Sequence, residues 1–88
     1  MIVTRLDRVL ADRKMSSRDL ALAMGLSEVN LSRIKTGKVS AIRFSTLEAL
    51  CRELGCQPGD LLEYLSDEEA EKRYGETFLE EYKKYHSQ

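Results

Sequence analysis

The feature that most constrains the fold is a pair of short helical segments within residues 16–37 that meet at Gly25. The first segment stops at Gly25, where the chain can turn through a left-handed conformation that is cheap only for glycine. The second begins after Ser27, and both Ser27 and Ser16, which precedes the first segment, suit a helix N-cap. This second segment is too short and too polar to be stable alone. The sequence therefore predicts a steeply crossed helix pair whose second helix leaves a polar face free for a partner.

Small and apolar residues at particular positions fix the angle between these two helices. Ala21 is small where the helix axes approach. The wedge that fixes the angle consists of Leu20, Leu26, Leu31 and Ile34. A generic helical hairpin is the alternative. The joint occurrence of these residues with Gly25 and the exit Lys35-Thr36-Gly37-Lys38 favours a helix-turn-helix. That geometry lets the second helix enter a DNA major groove, which is about 12 Å wide.

Helical periodicity also extends through the rest of residues 1–65. Thr4 with Asp7 predicts the cap of the first helix, and Ser45 with Glu48 predicts a capping box for the fourth. No strand pattern and no internal repeat is evident. Five short helices are predicted, at about residues 5–14, 17–24, 28–36, 45–54 and 58–65.

The tail, residues 66–88, is predicted to be a separate acidic amphipathic helix over about residues 67–85. Ser66 with Glu69 forms another capping box. Gly75 weakens the middle of this helix by about 1 kcal/mol relative to alanine. The apolar face either forms a dimer contact or packs back on the chain's own core, and the pattern leaves both open. One helical face carries Ala70, Tyr74, Phe78, Leu79, Tyr82 and Tyr85.

The net charge of −1 hides an uneven distribution. Residues 1–65 hold ten basic and eight acidic side chains, whereas residues 66–88 hold four basic and seven acidic ones. The stretch from Val29 to Phe44 contains four bases and no acid. This stretch is a modest patch suited to phosphates.

Composition argues against an enzyme, a metalloprotein and a membrane protein. Cys51 and Cys56 lack the spacing and the further ligands of a metal site, and His86 lies near the end of the chain. We expect buried, reduced thiols, with no metal and no cofactor. No segment has the apolar length of a membrane span or a signal peptide, so we expect a soluble, cytoplasmic protein.

Residues 3–65 resemble the lambda repressor-like (Cro-like, XRE) helix-turn-helix family, in its small single-domain branch. The resemblance is carried by SSRDLALAMGLSEVNLSRIKTGK, followed by FSTLEALCRELGCQPGDLLEY. It implies an all-α fold in which a five-helix DNA-binding domain is joined to the additional C-terminal helix. It also implies that the third helix, residues 28–36, enters the major groove. The tail has no counterpart in the family's core pattern.

The same resemblance implies roles for individual side chains. Ser17 matches the family's phosphate-clamping position at the start of the second helix. Asn30 could pair with adenine, Arg33 with guanine or a phosphate, and Val29 could pack on a thymine methyl group. The full set expected at DNA is Ser17, Arg18, Glu28, Val29, Asn30, Ser32, Arg33, Lys35, Thr36, Lys38 and Arg43.

Glu28 departs from the polar amide or basic residue usual at its position. An acid near phosphates costs affinity unless it accepts a hydrogen bond from cytosine. The alternative is that Glu28 only interacts favourably with the positive N-terminus of its helix.

Two functions fit these features. The first is a sequence-specific transcriptional regulator, in particular a repressor, that binds double-stranded DNA as a homodimer, with residues 66–88 as a candidate dimer contact. The second is an antitoxin-like or adaptor module with weak DNA affinity, which Glu28 and the low net charge favour. The acid-free stretch from Val29 to Phe44 favours the first. We expect no small-molecule ligand, because the chain has no second domain to form a pocket.

Overall fold

The computed structural model describes residues 1–86 and contains seven helices and two short strands within that range. The predominance of helix confirms the all-α prediction. In chain order the elements are β1 (Ile2–Thr4), α1 (Leu6–Arg13), α2 (Ser17–Met24), α3 (Glu28–Lys35), α4 (Phe44–Leu54), α5 (Pro58–Leu61), β2 (Leu62–Tyr64), α6 (Asp67–Tyr74) and α7 (Glu76–His86).

The main hydrophobic core lies between α1, α2, α3, α4 and α5. Leu6, Leu20 and Leu31 are the largest side chains that lose essentially all contact with solvent. Each leucine or valine buried in this way stabilises the fold by roughly 1.5–3 kcal/mol. The core consists of Leu6, Val9, Leu10, Leu20, Ala21, Leu31, Leu50, Leu54 and Leu61.

The two strands are the first correction to the sequence prediction, which found none. β1 pairs antiparallel with β2, with Val3 opposite Glu63. The predicted fifth helix accordingly ends at Leu61, and Leu62 lies in β2. Each strand has three residues, which is too short to show an alternating pattern in the sequence.

The starts of two helices also differ from prediction. Thr4 lies in β1, and its hydroxyl donates to the Lys35 carbonyl oxygen at 2.5 Å instead of capping α1. Helix α4 begins at Phe44, so the predicted cap at Ser45 lies inside the helix. Neither α1 nor α4 has a side-chain cap. Packing against the core, and not capping, therefore determines where these two helices begin.

The tail forms two helices instead of the single predicted one. Gly75 separates them with φ +89° and ψ 169°, a conformation that is essentially restricted to glycine. Ser66 caps α6 as predicted, accepting a hydrogen bond from the Glu69 amide at 3.1 Å. The sequence predicted a single helix because the helical spacing of the apolar residues continues on both sides of Gly75.

The tail packs back on the chain through a second, smaller core. Ala70 is fully buried against Met1, Val3 and Leu65, and α7 packs on the edge of this cluster. The Tyr82 hydroxyl accepts a hydrogen bond from the Ile2 amide at 3.0 Å. The N-terminal strand thus joins the tail to the helical body.

The two cysteines are free and half-buried. Burial raises the pKa of the Cys56 thiol, which keeps it protonated. No helix among residues 1–86 is long and apolar enough to cross a membrane.

An ion pair also links β2 to the start of α1. The Arg5 guanidinium donates to the Glu63 carboxylate, and Arg73 approaches the same oxygen at 3.4 Å. The hydrogen bond from Arg5 lowers the pKa of Glu63 below its ordinary value. The ionised carboxylate is therefore favoured by the folded state.

We predict that Glu63→Gln lowers stability at neutral pH and makes the loss of stability on acidification shallower. The folded pKa of Glu63 is depressed, so its contribution is present at neutral pH and disappears as the pH falls through that value. Urea denaturation at about pH 7 and about pH 3 measures both effects. Glu48→Gln, on the exposed side of α4, is the control and should keep the wild-type profile.

We also predict that Gly75→Ala weakens the tail by roughly 1–3 kcal/mol, through backbone strain. A Cβ atom at Gly75 would meet nothing within 4 Å, so steric contact does not contribute. Hydrogen exchange of the amides of residues 67–86 measures the change. Gly59→Ala is the matched control: its Cβ is also unobstructed and its φ lies outside the left-handed region. Equal protection in the two variants would contradict the assignment of strain to Gly75.

Candidate nucleic-acid interface

Helices α2 and α3 form the predicted helix-turn-helix, and the predicted caps are present. Ser16 accepts a hydrogen bond from the Asp19 amide at 3.0 Å, and Ser27 accepts one from the Asn30 amide at 3.1 Å. Gly25 ends α2 with φ +69° in the left-handed region. The start and end of both helices therefore follow from local sequence.

The inner faces of this pair are packed as the sequence predicts. Leu20, Ala21 and Leu31 are buried in the main core, and Ile34 packs against its edge. With no side chain larger than a methyl group, Ala21 lets the axes of α2 and α3 approach. The outer face of α3 is held in place by this packing.

The predicted contact residues of α3 are exposed, with the exception of Lys35, which is half-buried. The exposed residues include Val29, an apolar side chain that is 64% exposed and so takes no part in the core. Six of the predicted site residues line one shallow, open depression of about 460 Å³. They are Glu28, Val29, Ser32, Arg33, Thr36 and Lys38. Asn30 is exposed on the same helix but does not line the depression.

Lys35 is engaged within the chain. Its ammonium group lies 3.3 Å from the Ser17 hydroxyl and 3.4 Å from the Asp7 carboxylate. The Lys35 side chain is half-buried, and its backbone carbonyl accepts the hydrogen bond from Thr4. Lys35 therefore connects α1, α2 and β1, and Asp7 offsets part of its charge.

Two side chains form hydrogen bonds at the C-terminal end of α3, one from Thr36 and one from the tail. The Thr36 hydroxyl donates to the Ser32 carbonyl at 2.9 Å, in addition to the hydrogen bond that this carbonyl accepts from the Thr36 amide at 2.9 Å. The carbonyl of Gly37, in the turn that follows the helix, lies 3.0 Å from the His86 imidazole Nε2. A predicted phosphate contact, Lys38, follows directly and is exposed.

Two other predicted contacts, Arg18 and Arg43, lie at the N-terminal ends of α2 and α4. Both are exposed, as are Arg33 and Lys38. Within residues 1–86 none of these four cations has an ion-pair partner. Their charge is therefore available to phosphates.

Sequence reasoning overlooked Phe44, which is 88% exposed at the first position of α4. Phe44 directly precedes the predicted fourth helix, and no pattern in the sequence indicated its exposure. Its neighbour Arg43 is the residue before the helix, so the two project from the same helix end. A large apolar side chain this exposed is a candidate contact for a partner.

The fold and this exposed basic helix define a helix-turn-helix DNA-binding domain. The chain belongs to the Cro/C1-type helix-turn-helix DNA-binding domain family, whose model matches residues 5–67. This confirms the family that the sequence resembles. The family match ends near the start of α6, so most of the tail lies outside it.

Two particular proteins are similar to this chain. One is the uncharacterized HTH-type transcriptional regulator YozG of Bacillus subtilis (strain 168), which is 54% identical over 68 residues. That match covers 77% of this chain and 81% of the relative. The other is a solved structure of a candidate DNA-binding protein from Bacteroides fragilis, with a TM-score of 0.64 and 32% identity. It covers 72% of this chain and 100% of the solved one.

We predict that Ser27→Ala destabilises the protein by about 1 kcal/mol, because the amide of Asn30 loses its hydrogen-bond acceptor. Ser27→Asn should restore most of this stability, since asparagine is an equally good N-cap residue. Ser40→Ala, in an exposed loop, is the control and should be neutral. Chemical denaturation measures all three. An equal loss in the Ser27→Asn and Ser27→Ala variants would contradict the capping role.

Proposed function

We propose that the protein is a sequence-specific transcriptional regulator that places α3 in the major groove of double-stranded DNA. The observation that carries the proposal is the outer face of α3, which is exposed, polar and held rigidly by a buried inner face. Membership of a DNA-binding domain family and the similarity to a named transcriptional regulator support it. Such a regulator acts on chromosomal DNA, so we also propose that it is cytoplasmic.

The side chains at the start and middle of α3 are the proposed base contacts. Asn30 can form a bidentate pair with adenine and Arg33 with guanine, while Val29 can contact a thymine methyl group. Glu28 lies in the first turn of α3, where it interacts favourably with the helix dipole. Its exposed carboxylate can also accept a hydrogen bond from cytosine, so both roles proposed for Glu28 fit its position.

Residues around α3 are the proposed phosphate contacts. Ser17 and Arg18 lie in the first turn of α2, and Lys38 and Arg43 lie beyond the C-terminal end of α3. Phosphate contacts at both ends would fix the register of α3 in the groove. Thr36 completes this set, since its exposed hydroxyl can turn from the Ser32 carbonyl to donate to a phosphate. Lys35 contributes less charge than the sequence suggests, because Asp7 lies 3.4 Å away.

We propose repression as the mode of regulation. The helical body and the short tail present a DNA-binding face, and a protein bound over a promoter excludes polymerase by occupying the site. The exposed apolar residues Leu22 and Phe44 support a second candidate function, a protein-interaction module of the antitoxin or adaptor kind. DNA affinity distinguishes the two.

We predict that a mobility-shift assay with mixed genomic fragments finds fragments that bind, with affinity falling as salt rises. Arg33→Ala should lower affinity for those fragments by roughly 5- to 150-fold, the loss expected for one bidentate base contact, and leave the fold intact. Arg52→Ala is the matched control, because Arg52 is an exposed arginine in the last turn of α4, away from α3. Absence of binding at low salt would contradict the regulator and favour the adaptor.

We propose in addition that the protein binds as a homodimer. One α3 contacts few phosphates, and two copies on half-sites ~34 Å apart supply the missing affinity. The sequence suggested residues 66–88 as a candidate dimer contact. Phe78, Leu79 and Tyr82 pack against the chain's own second core, so a dimer through the tail would use its outward side.

Sedimentation of the full chain, alone and with a bound fragment, tests the homodimer. We predict a dimer mass on DNA, and a monomer mass in both states would contradict it. A chain that ends after Leu65 locates the contact. A dimer mass for this shorter chain would place the contact within residues 1–65.

A further inference from the structure

A groove of about 400 Å³ lies between the tail and the DNA-binding body. One wall comes from β1 and the exit of α3, and the other from α6 and α7. This volume lies in the range of pockets that hold small molecules. The sequence predicted no small-molecule ligand, because no second domain that could form a pocket was evident in it. In the structure the tail packs back on the body and forms the second wall of a pocket.

The tail wall of the groove is aromatic. Tyr74, Phe78, Tyr82 and Tyr85 all line it. The rings of Tyr74 and Phe78 stack with centroids 4.6 Å apart and planes inclined by 29°. Tyr74 and Tyr85 remain 44% and 41% exposed, so part of each ring is open to solvent. Flat aromatic surfaces of this kind favour a flat aromatic ligand.

The charged side chains in the groove further limit the class of ligand that it can bind. Two of the four, Asp7 and Lys35, neutralise each other at 3.4 Å. The other two are Glu81 on the tail wall and Lys38 on the body wall, and neither has an ion-pair partner within residues 1–86. The groove therefore offers one negative and one positive charge from opposite walls.

We propose that this groove binds a small molecule with a flat aromatic ring and with both an ammonium and a carboxylate group, with aromatic amino acids as the simplest members of the class. The rings receive the aromatic part, Glu81 the ammonium group and Lys38 the carboxylate. A DNA backbone suits the groove less well, because Glu81 would repel phosphates and Lys35, already paired with Asp7, offers them little charge. A ligand with a single charge would leave Glu81 or Lys38 uncompensated.

Occupancy of the groove is linked to DNA binding through shared residues. Lys35, Thr36 and Lys38 line the groove and also belong to the proposed DNA contacts. A ligand that changes their position or charge changes DNA affinity, and DNA changes ligand affinity by the same factor. This linkage rests on the proposed function, whereas the ligand site does not. A titration without DNA therefore tests the site separately.

The test is a titration of the full chain, without DNA, with three indole compounds that differ in charge: L-tryptophan, tryptamine and indole-3-propionate. The chain contains no tryptophan, so the fluorescence anisotropy of the indole reports the ligand alone. We expect L-tryptophan to bind at least about tenfold more tightly than either singly charged compound. Equal or tighter binding of tryptamine or indole-3-propionate, or no binding of all three, would overturn the proposal.

Two substitutions locate the binding. Tyr85→Ala removes part of the aromatic wall, and Glu81→Gln removes the negative charge without changing the shape of the side chain. Each should weaken L-tryptophan binding about tenfold. Their matched controls, Tyr64→Ala and Glu80→Gln, alter an exposed tyrosine and an exposed glutamate outside the groove and should bind as the wild type does. Wild-type affinity in the Glu81→Gln variant would place the ligand elsewhere and overturn the proposal.

Discussion

The contact of Leu20 and Ala21 with Leu31, across the turn at Gly25, is the packing on which the DNA-binding surface depends. α3 has eight residues and a mostly polar surface, so it has too little intrinsic stability to persist alone. Burial of Leu31 fixes its position and rotation, and the cap at Ser27 fixes its start. The exposed face that results is a consequence of this buried contact. Loss of the packing would therefore remove the interface even with all the proposed DNA contacts unchanged.

The N-terminal strand is the second constraint, because it connects the tail to the helical body. β1 pairs with β2 on one side, and its Ile2 amide donates to Tyr82 of α7. The small core around Ala70 then holds α6 and α7 against the body. Through His86 and Gly37 the tail reaches the end of α3. The part of the chain outside the family match is thereby placed beside the proposed DNA contacts.

Local signals predicted the helix-turn-helix well, and long-range contacts explain what they missed. Serine caps and a left-handed glycine depend on a few adjacent residues, so Ser16, Gly25 and Ser27 were identified from sequence. The strands form only because residues about sixty positions apart pair with each other, and three residues carry no periodic signal. The split of the tail at Gly75 was likewise hidden, because the spacing of apolar residues continues across it.

Among the candidate site residues, sequence identified which side chains lie around α3 but not how they are paired. The contact of Lys35 with Asp7 and Ser17 joins three helices, and no local pattern predicts it. The groove between tail and body has the same origin, since its walls come from segments that lie far apart in the chain.

The central claim is that α3 carries the DNA-binding face, and amide chemical-shift mapping on a bound DNA fragment tests it most directly. We predict that the largest shift changes fall within residues 28–38 and at the starts of α2 and α4. Residues at the end of α4 and in α5 should change little. Shift changes concentrated at the end of α4 and in α5, with residues 28–38 unaffected, would contradict the account.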